Sequence, residues 1–212
     1  MKEAVIFDMD GVIVDSEPCH EEAFLEVIEE IGYGGRHGLE FKDYVGRSDH
    51  ELWLDFLAKH QPPHTLEELL ALKSQRVAEI IRRARPLFAG LPELVEKLSS
   101  HYRLALASGS ERAVVEEVLA LQGLRRFFGV NLTATEVRRG KPEPDIFLRA
   151  AALLGVEPRD CWVIEDSKPG VAAGLAAGMR VIAITNTHPA DDLRHATRVV
   201  GSYQEIQDIL LT

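Results

Sequence analysis

The chain reads as an α/β fold, a parallel sheet covered by helices on both faces, with a separate helical domain inserted after the first strand. Three observations predict it. Short apolar runs of strand length alternate with helical patterns. The runs are apolar at successive positions, as strands buried on both faces must be. The first gap between strands is far too long for one crossover.

The predicted strands are, in order, Ala4–Phe7, Arg103–Ala107, 130–133, 161–164, Arg180–Ile184 and Arg198–Val200. Helix punctuation fills the later gaps. Ser110 precedes a helix over 111–121 with Gly123 just after it, Asp145–Leu154 ends at Gly155, 169–177 ends at Gly178, and Ser202 with Glu205 forms a capping box. A crossover between parallel strands takes about 30 residues, and the stretch from Asp15 to Tyr102 far exceeds that. The excess reads as an inserted domain over 16–83, leaving 1–15 and 84–212 as the core domain. Its content is helical: 17–31, Asp49–His60 and 65–85, the last opened by a Thr65/Glu68 capping box. Gly32, Gly34, Gly35 and Gly38 crowd the first connection, and Pro62 and Pro63 the second.

Composition narrows the partners. With 212 residues and 46% hydrophobic content, the chain can bury a sizeable core. Its longest apolar runs fall far short of the ~20 residues of a bilayer span, and no secretory-type succession opens it. No membrane association and a cytoplasmic address are expected. Cys19 and Cys161 read as ordinary thiols in a reducing compartment. The 34 acidic and 24 basic residues leave a net charge of −10, which repels nucleic acid and favours a small-molecule partner and a monomer.

The strongest local signal is Phe7-Asp8-Met9-Asp10-Gly11 at the end of the first strand. In open parallel sheets, ligands bind beyond the carboxyl ends of the strands, so these acids stand where chemistry is expected. Three further signals fall at the carboxyl ends of predicted strands or in the loops behind them: Ser108, Lys141 within Gly140-Lys141-Pro142-Glu143-Pro144-Asp145, and Glu165-Asp166. Taken singly they read as a helix cap, a solvated lysine and a helix-dipole pair. Together they put an acid nucleophile, a second acid, a hydroxyl donor, a cation and metal-binding carboxylates on one rim.

On these residues the chain resembles the haloacid dehalogenase superfamily, in its branch of β-phosphoglucomutase-like phosphatases. Asp8 and Asp10 match the first family motif, Ser108 in Ala107-Ser108-Gly109-Ser110 the second, Lys141 the third, and Glu165-Asp166 the fourth. The resemblance implies a doubly wound, Rossmann-like core with an α-helical cap inserted after the first motif. It also implies a magnesium-dependent phosphatase of a small phosphorylated metabolite. In that reading Asp8 attacks phosphorus, and Asp10 protonates the leaving oxygen and then deprotonates water. Mg²⁺ is held by Asp8, Asp166 and the Asp10 main-chain carbonyl, with Glu165 orienting a coordinated water. Lys141 neutralises charge, while Ser108 and neighbouring main-chain N–H groups, that of Gly109 among them, donate to phosphate oxygens.

In this family the cap reads the leaving group, and its candidates here are His20, Arg47 and Lys73. Arg47 sits in Val45-Gly46-Arg47-Ser48, which resembles the family's specificity loop. A mutase of the β-phosphoglucomutase kind would carry Lys-Gly and a downstream Arg there, where this chain begins Val45-Gly46. Lys73 and His20 do fall at mutase-like positions, so a phosphomutase remains the alternative to a phosphatase. A dehalogenase has no use for an acid at Asp10. A phospho-receiver, the non-enzyme alternative, needs neither that acid nor a cap.

Overall fold

The computed structural model describes residues 3–44 and 49–212. By its internal contacts the chain divides into two compact units, 1–15 with 86–212, and 16–85. The inserted unit thus ends two residues later than the sequence suggests, because its last helix runs on to Ala84 before Arg85 turns left-handed at φ 53°.

The core unit holds six strands: β1 (Ala4–Phe7), β2 (Arg103–Ala107), β3 (Phe128–Leu132), β4 (Cys161–Glu165), β5 (Arg180–Ile184) and β6 (Arg198–Val200). All pair in parallel in the order β3-β2-β1-β4-β5-β6, the doubly wound arrangement the resemblance implies. Every residue of β1 and β4 is buried, which is why these strands are continuous apolar runs with no polar alternation. One face packs Ile6, Ala105, Val163 and Val181 beneath Phe147, Ala150, Val171 and Ala173. The chain builds β1 to β3 to one side and then returns to add β4 on the other. The carboxyl ends of β1 and β4 therefore flank the crevice where strand order reverses, the expected ligand site of such a sheet.

Around the sheet stand α4 (Leu91–Ser99), α5 (Arg112–Ala120), α6 (Asp145–Leu154), α7 (Lys168–Ala176), α8 (Ala190–Leu193) and α9 (Tyr203–Leu211), following α1 to α3 of the inserted unit. The helix α4 is not marked in the sequence reading, although Leu91, Leu94, Val95 and Leu98 form its buried stripe. Ser202 caps α9 by accepting from Glu205 N–H. Glu205 Oε1 in return accepts from Ser202 Oγ at 3.0 Å and from Gly201 N–H at 3.3 Å, where a capping box would take the Ser202 N–H.

The inserted unit comprises α1 (Glu17–Glu30), α2 (Asp49–His60) and α3 (Leu66–Ala84), with a 3₁₀ turn at Phe41–Tyr44. Its core is aromatic: Phe24, Trp53 and Phe56 are fully buried among Val27, Leu52 and Leu69. Thr65 and Glu68 form the capping box of α3, a device worth about 1 kcal/mol. Among the described residues, no helix is long and apolar enough to cross a membrane.

Candidate active site

The loop after β1 is built before its acids are used. Asp8 N–H still donates to Ile164 O at 2.9 Å, so the residue is tied to the sheet as the strand ends. The chain then folds back on itself: the N–H groups of Val12, Ile13 and Val14 all reach Met9 O, and Gly11 N–H reaches Val14 O. Gly11 has φ +75°, and a Cβ there would collide with the Asp166 carboxylate and the Thr187 methyl. Only glycine meets both demands.

Asp8, Glu165 and Asp166 come together at the crevice, with carboxylate oxygens within 4.8 Å of one another. All three are buried, at 6%, 0% and 5% exposure. Lys141 reaches this cluster from the loop before α6, donating from Nζ to Asp8 Oδ1 and, at 2.6 Å, to Glu165 Oε1. Glu165 is the most heavily bonded of the acids. Its Oε2 accepts from Asp166 N at 2.9 Å, Ser167 N at 3.0 Å and Ser167 Oγ at 2.8 Å. Gly170, in the first turn of α7, leaves the space the Glu165 carboxylate fills. Thr187, from the loop after β5, donates from Oγ1 to Asp166 Oδ2.

The second acid of the motif is held on another side. Asp10 Oδ2 accepts from Ser110 Oγ at 2.7 Å and from Ser108 Oγ at 3.3 Å. Ser108 Oγ in turn accepts from Ser110 N at 2.9 Å. Ser110 is expected from sequence to be a helix cap. In the structure Glu111 takes the cap position of α5 without a side-chain cap bond, which leaves the Ser110 hydroxyl for Asp10. Gly109 is exposed, and its N–H has no partner among the described residues.

Three acids and one cation at a buried site do not balance. Burial pushes the Asp8 carboxyl well above the carboxylate range, with Glu165, Asp166 and Asp10 adding to the shift and Lys141 opposing it. Burial, then Glu165, push Asp166 up to about 7, against the Thr187 hydrogen bond. At Lys141 burial opposes the charge, but Asp8 and Glu165 outweigh it and hold the ammonium above its ordinary range. A hard divalent cation fits this oxygen-only, over-acidic donor set.

A pH dependence follows. With Asp166 at about 7 when folded and near 3.8 when unfolded, the folded chain binds more protons between those values, so stability falls as pH rises through that window. In EDTA, the melting temperature should drop between about pH 5 and 7.5, and Mg²⁺ should remove most of the drop. Thermal melts across this range check it; a flat EDTA profile contradicts it.

The cap candidates lie in the inserted unit. Lys73 is fully buried, and its ammonium bonds Asp49 Oδ1 at the start of α2, with the Phe41 ring 5.5 Å away. His20 Nδ1 stands 3.9 Å from the other oxygen of Asp49. Lys73 is thus neither a solvated helix lysine nor an unpaired cation. Arg47 lies outside the described residues.

A family model described as haloacid dehalogenase-like hydrolase matches residues 2–178. The chain belongs to that family. The haloacid dehalogenase-like hydrolases are enzymes, which removes the receiver alternative. The chain is similar to the fructose-1-phosphate phosphatase YqaB of Escherichia coli (strain K12), at 33% identity over 85% of this chain and 95% of the relative. It is similar to hexitol phosphatase B of the same organism, at 34% identity over 90% of this chain and 87% of the relative. Among solved structures, β-phosphoglucomutase from Clostridium difficile matches with a TM-score of 0.77 and 27% identity, covering 98% of this chain and 96% of that one. These neighbours place the chain among the β-phosphoglucomutase-like members of the family, in agreement with the motif reading.

Proposed function

We propose that this chain is a Mg²⁺-dependent phosphatase of a small sugar or polyol monophosphate, working through a phosphoryl ester on Asp8. The observation that carries the reading is the buried Asp8–Lys141–Glu165–Asp166 cluster at the point where strand order reverses. The similarity to phosphatases of fructose 1-phosphate and hexitol phosphates supports the substrate class.

In this reading the Asp8 carboxylate attacks phosphorus, and the ester oxygen leaves with the proton that Asp10 supplies. Asp10, now ionised, takes a proton from water as that water attacks the phosphoryl group on Asp8. The P–O bond to Asp8 breaks, inorganic phosphate departs and both acids return to their starting states. Lys141 lowers the negative charge around Asp8 so that phosphate can approach, and Glu165 fixes Lys141 in place. The open Gly109 N–H donates to the phosphoryl oxygens, as does the Ser108 hydroxyl once it turns from Asp10 to the substrate. Asp8, Asp166 and the Asp10 main-chain carbonyl would hold Mg²⁺, which supplies positive charge to the phosphoryl oxygens and lets the carboxylates stay ionised side by side. The Ser110 hydroxyl holds Asp10 at one oxygen, which keeps the carboxyl oriented between its two proton transfers.

A hydrolase is preferred to a phosphomutase for a reason internal to the inserted unit. A mutase must grip a second phosphate, and Lys73, which falls where a mutase cap supplies a phosphate-contacting lysine, is buried and neutralised by Asp49.

The test is turnover of p-nitrophenyl phosphate with Mg²⁺. Asp10→Asn should lower kcat by about 10²- to 10⁴-fold with little change in melting temperature. Near-normal turnover by that variant would remove Asp10 from the chemistry. A wild type that becomes phosphorylated but never turns over would remove the enzyme reading. Supplying β-glucose 1-phosphate with a bisphosphate primer separates the alternatives: hydrolysis without glucose 6-phosphate is the expected result.

A further inference from the structure

Asn186 and Tyr203 grip the backbone of the loop that carries both acids. The Tyr203 hydroxyl donates to Val12 O at 2.7 Å. Asn186 Nδ2 donates to Gly11 O at 2.8 Å and to the Tyr203 hydroxyl oxygen at 3.0 Å. Neither residue belongs to the carboxylate cluster or to the four motifs.

Both struts stand on rigid supports. Asn186 follows Thr185, whose N–H is fixed to Val200 O at 3.0 Å as β5 leaves the sheet. Tyr203 is the first residue of α9, behind a cap in which Ser202 accepts from Glu205 N–H. Its ring lies 6.2 Å from that of Phe88 and borders a cavity of about 600 Å³ that Asn186 and Lys97 also line.

What they hold is a short buried turn at the end of β1. Within it the N–H groups of Val12, Ile13 and Val14 share Met9 O, Gly11 N–H reaches Val14 O, and Phe88 N–H reaches Ile13 O at 3.2 Å from outside, with Gly11 in the left-handed region. The Gly11 and Val12 carbonyls accept from Asn186 and Tyr203. Asp10 is thereby restrained twice, through its side chain by Ser108 and Ser110 and through the next two peptide units by this pair. A displacement of about 1 Å between reacting groups can cost on the order of 10²-fold in rate, so a loop carrying two reacting acids rewards such bracing.

We propose that Asn186 and Tyr203 are positioning residues for phosphoryl transfer, bracing the Asp10-Gly11-Val12 backbone so that Asp8 and Asp10 keep their reactive geometry. The proposal rests on the phosphatase reading for its kinetic consequence but not for its structural one.

The experiment compares Tyr203→Phe with Tyr102→Phe, which removes an equivalent hydroxyl bond, to Leu210 O at 2.5 Å, at the opposite end of β2. Two readouts are taken: kcat and KM on p-nitrophenyl phosphate with Mg²⁺, and amide hydrogen exchange over residues 9–14. Tyr203→Phe should lower kcat about tenfold with KM within about twofold, and should accelerate exchange in that segment. Tyr102→Phe should do neither. Adding Asn186→Ala to Tyr203→Phe should cost less than the product of the single effects, because both act on one loop. An unchanged kcat in Tyr203→Phe, unchanged exchange, or an equal loss in Tyr102→Phe overturns the proposal. An inactive wild type sinks the phosphatase reading instead, and exchange then decides the bracing role on its own.

Discussion

Replacing Asp8 with Asn should abolish turnover and leave the chain folded. Asn keeps the shape of Asp and can still face Lys141, but its amide cannot attack phosphorus. With the nucleophile gone, kcat should fall by on the order of 10⁴-fold or more, and no acid-stable or base-labile phosphoryl group should form on the protein. The effect on stability should run the other way. Asp8 is a buried acid whose ionised form is disfavoured first by burial and then by Glu165, Asp166 and Asp10. Removing that charge lightens the crowding, so in EDTA the variant should melt at the same temperature as wild type or higher. Loss of activity with a lowered melting temperature would point to a structural acid. Turnover within tenfold of wild type would take the nucleophile role from Asp8.

Lys141→Met should be the most destabilising change at the site. The ammonium is the partner of both Asp8 and Glu165, and its side chain is 14% exposed against 0% for Glu165. Methionine retains much of the chain length and the contact with Phe147, whose ring lies 5.1 Å from the Lys141 ammonium. It leaves Glu165 buried without its counter-charge. Breaking a buried pair in this way costs about 3 kcal/mol, which for a chain of this size lowers the melting temperature by roughly 6 to 12 °C. Catalysis should fall by about 10²- to 10³-fold, the usual cost of a lost charge-stabilising group. A Lys141→Met/Asp8→Asn double variant should recover part of the stability and none of the activity. Full stability of the single variant in EDTA would mean that the ion pairs contribute little to the fold.

These effects turn on contacts of very different legibility. The acids of the first motif could be read directly, since Asp8 and Asp10 close an apolar strand and precede a glycine that must turn. That Gly11 is required for a second reason, clearance for Asp166, is visible only once β4 lies beside β1. Lys141 and Glu165 were legible as candidates from their place after predicted strands. Their direct bond was not, because their neighbourhood is set by which strands the sheet brings together. Ser110 shows the limit from the other side: local pattern makes it a helix cap, and the fold gives its hydroxyl to Asp10. Thr187, Asn186 and Tyr203 carried no local signal. Each sits at an ordinary loop or helix start and gains its role by meeting residues far away in sequence, Tyr203 by reaching Val12.

Lys73 was the cation that sequence alone placed worst. A lysine in a charged helix reads as solvated, or as a ligand for substrate, because periodicity does not reveal that Asp49 opens the neighbouring helix at the right height to take its charge.

For this chain, then, sequence by itself determined the fold class, the inserted helical unit and the acids at the ends of β1 and β4. Strand burial and strand-end chemistry are local, and both are written in continuous apolar runs and the polar residues that end them. The tertiary structure decided which of those residues meet, which cation is neutralised and what braces the Asp8–Asp10 loop. A parallel sheet joins strand ends that are remote in the chain, and the electrostatics of a buried site depend on every charge gathered there.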